Sequence, residues 1–247
     1  MKRIAFAALG ALALQAAGQK DTANDQLDEV VVSGTLYGTS KSASPVNIDV
    51  VHRGFLARQK VPSLFEALQF VNGIRPQVNC GVCSTGDIHL NGMEGPYTMV
   101  LIDGSPMVSG LASVYGLMGI PSSLIDRIEI IKGPASTLYG SEAVAGVINI
   151  ITKRPESVPR ASVDALGTSH GERTLDVSVR SSGRARGIWG VHHYASPLKI
   201  DQNRDGFTDL PIQNRLCVVH RRERSLSNGL RSNWYARGFG ETRWGGN

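Results

Sequence analysis

The chain has 247 residues, 41% hydrophobic and 19% charged, with a net charge of +5. That is ordinary for a folded protein and enough for one or two domains with a real core. The basic surplus is scattered, with one knot at Arg221, Arg222 and Arg224, and lacks the basic–aromatic interleaving of a nucleic-acid surface.

Residues 1–18 (MKRIAFAALGALALQAAG) have a basic start, an apolar run and small residues at Ala16 and Gly18. This is the pattern of a secretory signal peptide, with cleavage before Gln19. The run is too short for a membrane helix, and nothing later is long enough either. A membrane role must therefore come from strands. Residues 19–26 are polar. Then Val30, Val31 and Val32 form a β-prone patch within DEVVVSGTLYG. Two readings stand side by side: a segment that adds as a strand to a partner's sheet, or the first strand of the folded domain.

Residues 45–51 (PVNIDVV) alternate as a strand. Ser63 and Glu66 make a capping box ahead of a helix carrying Leu64, Leu68 and Val71, which Gly73 stops. Residues 87–92 and 97–106 read as strands, the second turning at Asp103-Gly104. Cys80-Gly81-Val82-Cys83 falls in the loop between Gly73 and the Asp87 strand. Three readings of Cys80 and Cys83 stay open: a disulfide in an oxidising compartment, a metal or haem contact assisted by His89, Met93 or Met107, or a redox pair. Residues 125–132 and 144–151 are apolar-rich strands joined through Gly133, Pro134, Gly140 and Gly146.

After Pro155 the character changes to alternating segments at 161–166, 174–179, 187–194, 217–220 and 230–239, the weak signature of transmembrane β-strands. Ile188, Gly190, His192 and Tyr194 would share one face, and Trp189, Val191, His193 and Ala195 the other. Between two of these strands, Asp201, Asn203, Asp205 and Asp209 fall at positions 1, 3, 5 and 9 of a calcium-type loop, with Gly206 at position 6. Ile212 stands where the bidentate acid belongs. An Asp/Asn/Gly-rich turn that needs no metal is the alternative.

No P-loop or HExxH pattern is present, and Ser105, Ser109, Ser136 and Ser141, though near glycines, sit in no G-x-S-x-G pattern, so the sequence does not read as an enzyme. Its ordered stretch IPSSLIDRIEIIKGPASTLYGSEAVAGVINIITKRP (120–155) resembles the end of the plug domain of TonB-dependent outer-membrane receptors. VNGI, HLNGMEG and VLIDGSP resemble earlier plug elements. Asn91 stands where arginine is usual, and the expected proline is displaced to Pro76. The resemblance implies an α+β plug domain at 40–155, a mixed short sheet with helices, after a periplasmic segment at 19–39. Residues 156–247 would be the first antiparallel strands of a transmembrane β-barrel.

It also implies a TonB box at Asp28, Glu29, Val30, Val31, Val32 and Ser33, which engages the TonB energy-transducing complex. Lys132 and Arg154 would pair with acids on the barrel wall. Loops 75–86 and 107–118 would serve the ligand. The implied function is import of a scarce ligand, metal-containing on the weak cue of the CGVC loop, through the outer membrane. No cofactor is required, with calcium possible. Because the family's barrels have about 22 strands and 156–247 offers four or five, the expectation is a fragment. A periplasmic or secreted binding module, a Cys80/Cys83 redox or metal enzyme, and a non-functional truncated product are the alternatives.

Overall fold

The computed structural model describes residues 29–35, 37–80, 85–107, 117–181, 186–225 and 231–245. The expected leader at 1–18, the box residue Asp28, Cys83 and most of the expected loop 107–118 lie outside these residues. Among the described residues no helix is long and apolar enough to cross a membrane, which says nothing of strands.

The first unit is built on a five-stranded sheet ordered β3-β8-β9-β6-β7. Its strands are β3 (Ile48–His52), β6 (Thr98–Ile102), β7 (Ser105–Pro106), β8 (Ile125–Lys132) and β9 (Gly146–Thr152). All neighbours are antiparallel except β6 and β9. The unit is a mixed sheet with few helices, followed by antiparallel strands, the architecture the resemblance implies for a plug and the strands after it.

The sheet is covered on both faces, so its central strands are buried on both. Ile128, Ile130, Ile148, Ile150, Val100 and Ile102 pack into one core. That core lies beneath α1 (Arg53–Gln59), α2 (Leu64–Ala67) and the hairpin of β4 (Ile74–Cys80) with β5 (Thr85–Leu90). Leu101, Ile131 and Val147 point the other way and meet Val31, Ile48, Ala135 and Ala143. That second core is closed by β1 (Val30–Val31), which pairs with β2 (Thr39–Ser40), and by the turn carrying α3 (Ser136–Tyr139).

Local chemistry accounts for the boundaries. Ser63 Oγ accepts the Glu66 N–H at 3.3 Å and donates to Glu66 Oε1, closing the expected capping box at α2. Asp103 and Gly104 both have positive φ, which turns β6 sharply into β7. Gly146 has φ +144°, and a Cβ there would collide with the Ile131 carbonyl and the Leu90 side chain. Only glycine can open β9 this close to β8. One expectation meets a different structure: residues 75–80 and 85–86, expected in a loop, are strand, because Ile74–Cys80 pairs with Thr85–Leu90, with a bulge at Val78/Cys80.

The second unit is an antiparallel meander of β10 (Ala161–Gly167), β11 (Arg173–Ser181), β12 (Arg186–Ser196), β13 (Ile212–Ser225) and β14 (Arg231–Trp244). The alternation expected on β12 holds: Ile188, Gly190, His192 and Tyr194 are buried on the inner face, and Trp189 is half exposed on the outer. The outer face carries Val163, Leu175, Val179, Leu216, Trp234 and Trp244, all well exposed. The plug rests on the inner face.

Candidate functional site

Glu129 lies on β8, facing the second core, and is fully buried. One carboxylate oxygen accepts the Val32 and Ser33 N–H groups at 2.9 Å each and the Ser33 hydroxyl at 2.7 Å. The other accepts two bonds from Arg127, at 3.0 and 2.7 Å. Arg127 also donates to the Val30 carbonyl, Tyr139 Oη to the Ser33 carbonyl and Asn149 Nδ2 to Ser33 Oγ. Burial, and second the nearby Glu129, push the Tyr139 phenol up, so it remains a donor. The segment 30–33 is thus clasped to the two middle strands of the sheet mainly by polar bonds, with Val31 as its one deeply buried apolar anchor.

Asn149 extends this network, because its Oδ1 accepts the Gly104 N–H. The preceding Asp103 accepts from the N–H and hydroxyl of Thr152. Arg221 on β13 reaches the same place: it bonds Thr152, donates to the Lys153 carbonyl at 3.0 Å and stands 3.5 Å from Asp103. A cavity of about 620 Å³ opens here, lined by Asp103, Ser105, Met107, Arg221, Tyr235 and Arg237 among others.

Elsewhere the seam between plug and wall is apolar, with Leu124 and Val158 against Ile188, Cys217 and Val219. Its polar ties include Ser122 to Asp176, which holds His192 Nδ1 at 2.6 Å, and Arg215 to the Met118 carbonyl. Near the far end of the seam, burial and second the charge of Glu172 push Glu66 up to about 7.

The expected site residues fare differently. Of the box, Glu29 pairs with His52 at 3.3 Å and Val30 is 56% exposed. Val31 and Ser33 are fully buried and Val32 partly so, and Val30–Val31 pairs with Thr39–Ser40. Lys132 does not reach across to the wall: its Nζ lies 2.5 Å from Asp49 on the neighbouring plug strand β3. The register brings Asp49 opposite Ile130, two residues from Lys132 and on the same face, so a closer acid satisfies it. Arg154 is exposed and makes no ion pair among the described residues. The plug–wall charge contact instead has the opposite polarity, with wall Arg221 facing plug Asp103.

Cys80 is half-buried at the end of β4, and its candidate partner is among the residues not described. The carboxylates of the Asp201 loop cap backbone N–H groups: Asp201 those of Asp205 and Gly206, Asp205 that of Phe207, and Asp209 that of Gln202. Asn203 joins them through Asp205. Among the described residues no three acids, histidines or cysteines gather where they could hold a metal ion. His192 and His193 point to opposite faces, His193 toward Asn214. Glu129 itself went unrecognised in the sequence as a site residue.

Comparison with known proteins matches residues 40–147 to the family model of the TonB-dependent Receptor Plug Domain. Among solved structures, the chain is similar to the ferric yersiniabactin uptake receptor FyuA from Yersinia pestis, at 19% identity and TM-score 0.58 over 73% of this chain. It is similar to the pyoverdine outer membrane receptor FpvA from Pseudomonas aeruginosa, at 17% identity and TM-score 0.62 over 84%. It is also similar to the siderophore receptor PiuA from Acinetobacter baumannii, at 17% and 0.64 over 87%. The chain spans 29% of the length of each.

Proposed function

We propose, from the match of residues 40–147 to the TonB-dependent receptor plug model, that the chain is part of an outer-membrane receptor that imports a scarce, metal-containing ligand of the siderophore class. The plug closes the lumen of a barrel to which β10–β14 belong. The segment 28–33 is the handle by which a periplasmic energy-transducing partner pulls. The barrel's lipid face is the apolar outer side of the meander. Trp234 and Trp244 mark its two borders on one strand. Residues 234 to 244, at about 3.4 Å each and tilted about 45°, rise roughly 24 Å, close to the apolar band of an outer-membrane barrel.

The observation that carries this reading is the clasp itself. A β-prone segment is held by hydrogen bonds that water or a partner strand can replace, and it is attached to a sheet seated against the antiparallel meander. Ligand class rests on the siderophore receptors to which the fold is similar. Uptake of a ferric siderophore by cells expressing the complete gene tests it. Deleting residues 28–33 should abolish uptake while surface binding persists. Undiminished uptake would refute the assignment of the handle.

A further inference from the structure

The outer face of β13 breaks pattern at one end. Above it the outward residues are apolar, Leu216 and Val218, but then come His220, Arg222 and Arg224. Both arginines are exposed, and neither makes an ion pair or side-chain hydrogen bond among the described residues. Two tryptophans frame them. Trp189 on β12 stacks on His220 with ring centroids 4.1 Å apart, and Trp234 on β14 pairs directly with Arg222 and is 69% exposed. On the other side of Arg222 the register places Gly187, which has no side chain. The result is a notch: tryptophan walls, a floor where the His220 ring lies over Gly187, and two guanidinium groups unpaired among the described residues, continuous with the apolar band. Exposed cations at the rim of a lipid-facing surface call for an anion at headgroup depth, and tryptophan rings seat at that depth.

The chain's own connections say which leaflet this is. The strands at this end are joined through 182–185 and 226–230, whereas the opposite end carries the long connection 197–211. Short turns face the periplasm and long loops the exterior in such barrels. The notch therefore lies in the leaflet made of phospholipid.

We propose that Arg222 and Arg224, framed by Trp189, His220 and Trp234, form a docking site for the phosphate headgroup of an anionic phospholipid in the periplasmic leaflet. The inference rests on the outer-membrane reading above. A guanidinium engages phosphate oxygens by paired N–H bonds, and the register sets Arg222 directly opposite Trp234. A zwitterionic lipid carries its own cation and gains less.

The test uses the protein expressed from its complete gene, reconstituted in vesicles of equal parts phosphatidylglycerol and phosphatidylcholine. Association of spin-labelled versions of each lipid with the protein surface is measured for the wild type and for Arg222→Gln/Arg224→Gln. The wild type should prefer phosphatidylglycerol, and the preference should weaken with salt and persist in excess inorganic phosphate. The double variant should insert equally well but lose about fivefold preference per arginine removed. Insertion with no preference, or a preference unchanged in the variant, overturns the lipid site and leaves the membrane reading standing. Failure to insert into any bilayer overturns the membrane reading and the site with it.

Discussion

Replacing Glu129 with alanine should open the clasp without dissolving the sheet. The substitution removes the acceptor of three donors on the N-terminal segment, at 2.9, 2.9 and 2.7 Å, and the counter-charge of Arg127. Hydrogen bonds to a charged acceptor contribute about 1.5–3 kcal/mol each. Because the segment can swing into water and recover part of that, the net loss should be about 3–5 kcal/mol. By the relation of tenfold per 1.4 kcal/mol, this is a rise of about 10² to 10³ or more in the open population. Native-state hydrogen exchange reads it directly. The Val32 and Ser33 amides should exchange faster by that factor, while those of Ile128, Ile130 and Ile148 keep their protection. A Ser33 amide as protected as in the wild type would refute the clasp. Equal loss across the whole sheet would show instead that Glu129 holds the core and not the segment.

Other perturbations probe the remaining contacts. Glu66 binds its proton more tightly folded than unfolded, at about 7 against 4.5, so its contribution to stability is complete below about 4.5 and is lost as pH rises through 7. The melting temperature of Glu66→Gln relative to wild type should therefore rise between pH 5 and pH 8. Arg221→Met removes the wall's bonds to the Thr152 and Lys153 carbonyls and should weaken the seam by about 2–4 kcal/mol, seen as faster limited proteolysis of the plug. Gly146→Ala drives a methyl into the Ile131 carbonyl at a left-handed backbone and should lower stability by more than about 3 kcal/mol in denaturant titration. Ser63→Ala loses the cap of α2 and about 1 kcal/mol in the same assay.

What the sequence disclosed follows the physics of each element. The capping box, the Asp103-Gly104 turn and the strands β8 and β9 were legible because local chemistry or dense apolar runs determine them. β12 was legible because one of its faces is exposed and the other is packed, which preserves a period of two. By contrast, α1 hides in RGFLARQ, where Gly54 weakens the helical signal and no side chain caps the start. β4 hides because Arg75, Gln77 and Asn79 are polar and Pro76 interrupts it, tolerable only in a two-stranded sheet. The partner of Lys132, expected on the wall, is Asp49 instead, because that choice depends on which strand lies beside β8. Glu129 looked like the wet side of a half-buried strand, and nothing local announces that a segment 96 residues upstream covers it.

The same separation has a consequence for how the molecule assembles. Ser33 meets Glu129 and Asn149 across 96 and 116 residues, so closing the clasp traps a long chain loop and belongs to the slow, late class of folding events. A chain delivered amino end first presents Ser33 long before residue 149 exists to receive it. Through that interval the valines at 30–32 stand as an unpaired strand edge, open to any β-binding partner or chaperone. The first part of the plug to appear is thus the last to find its place.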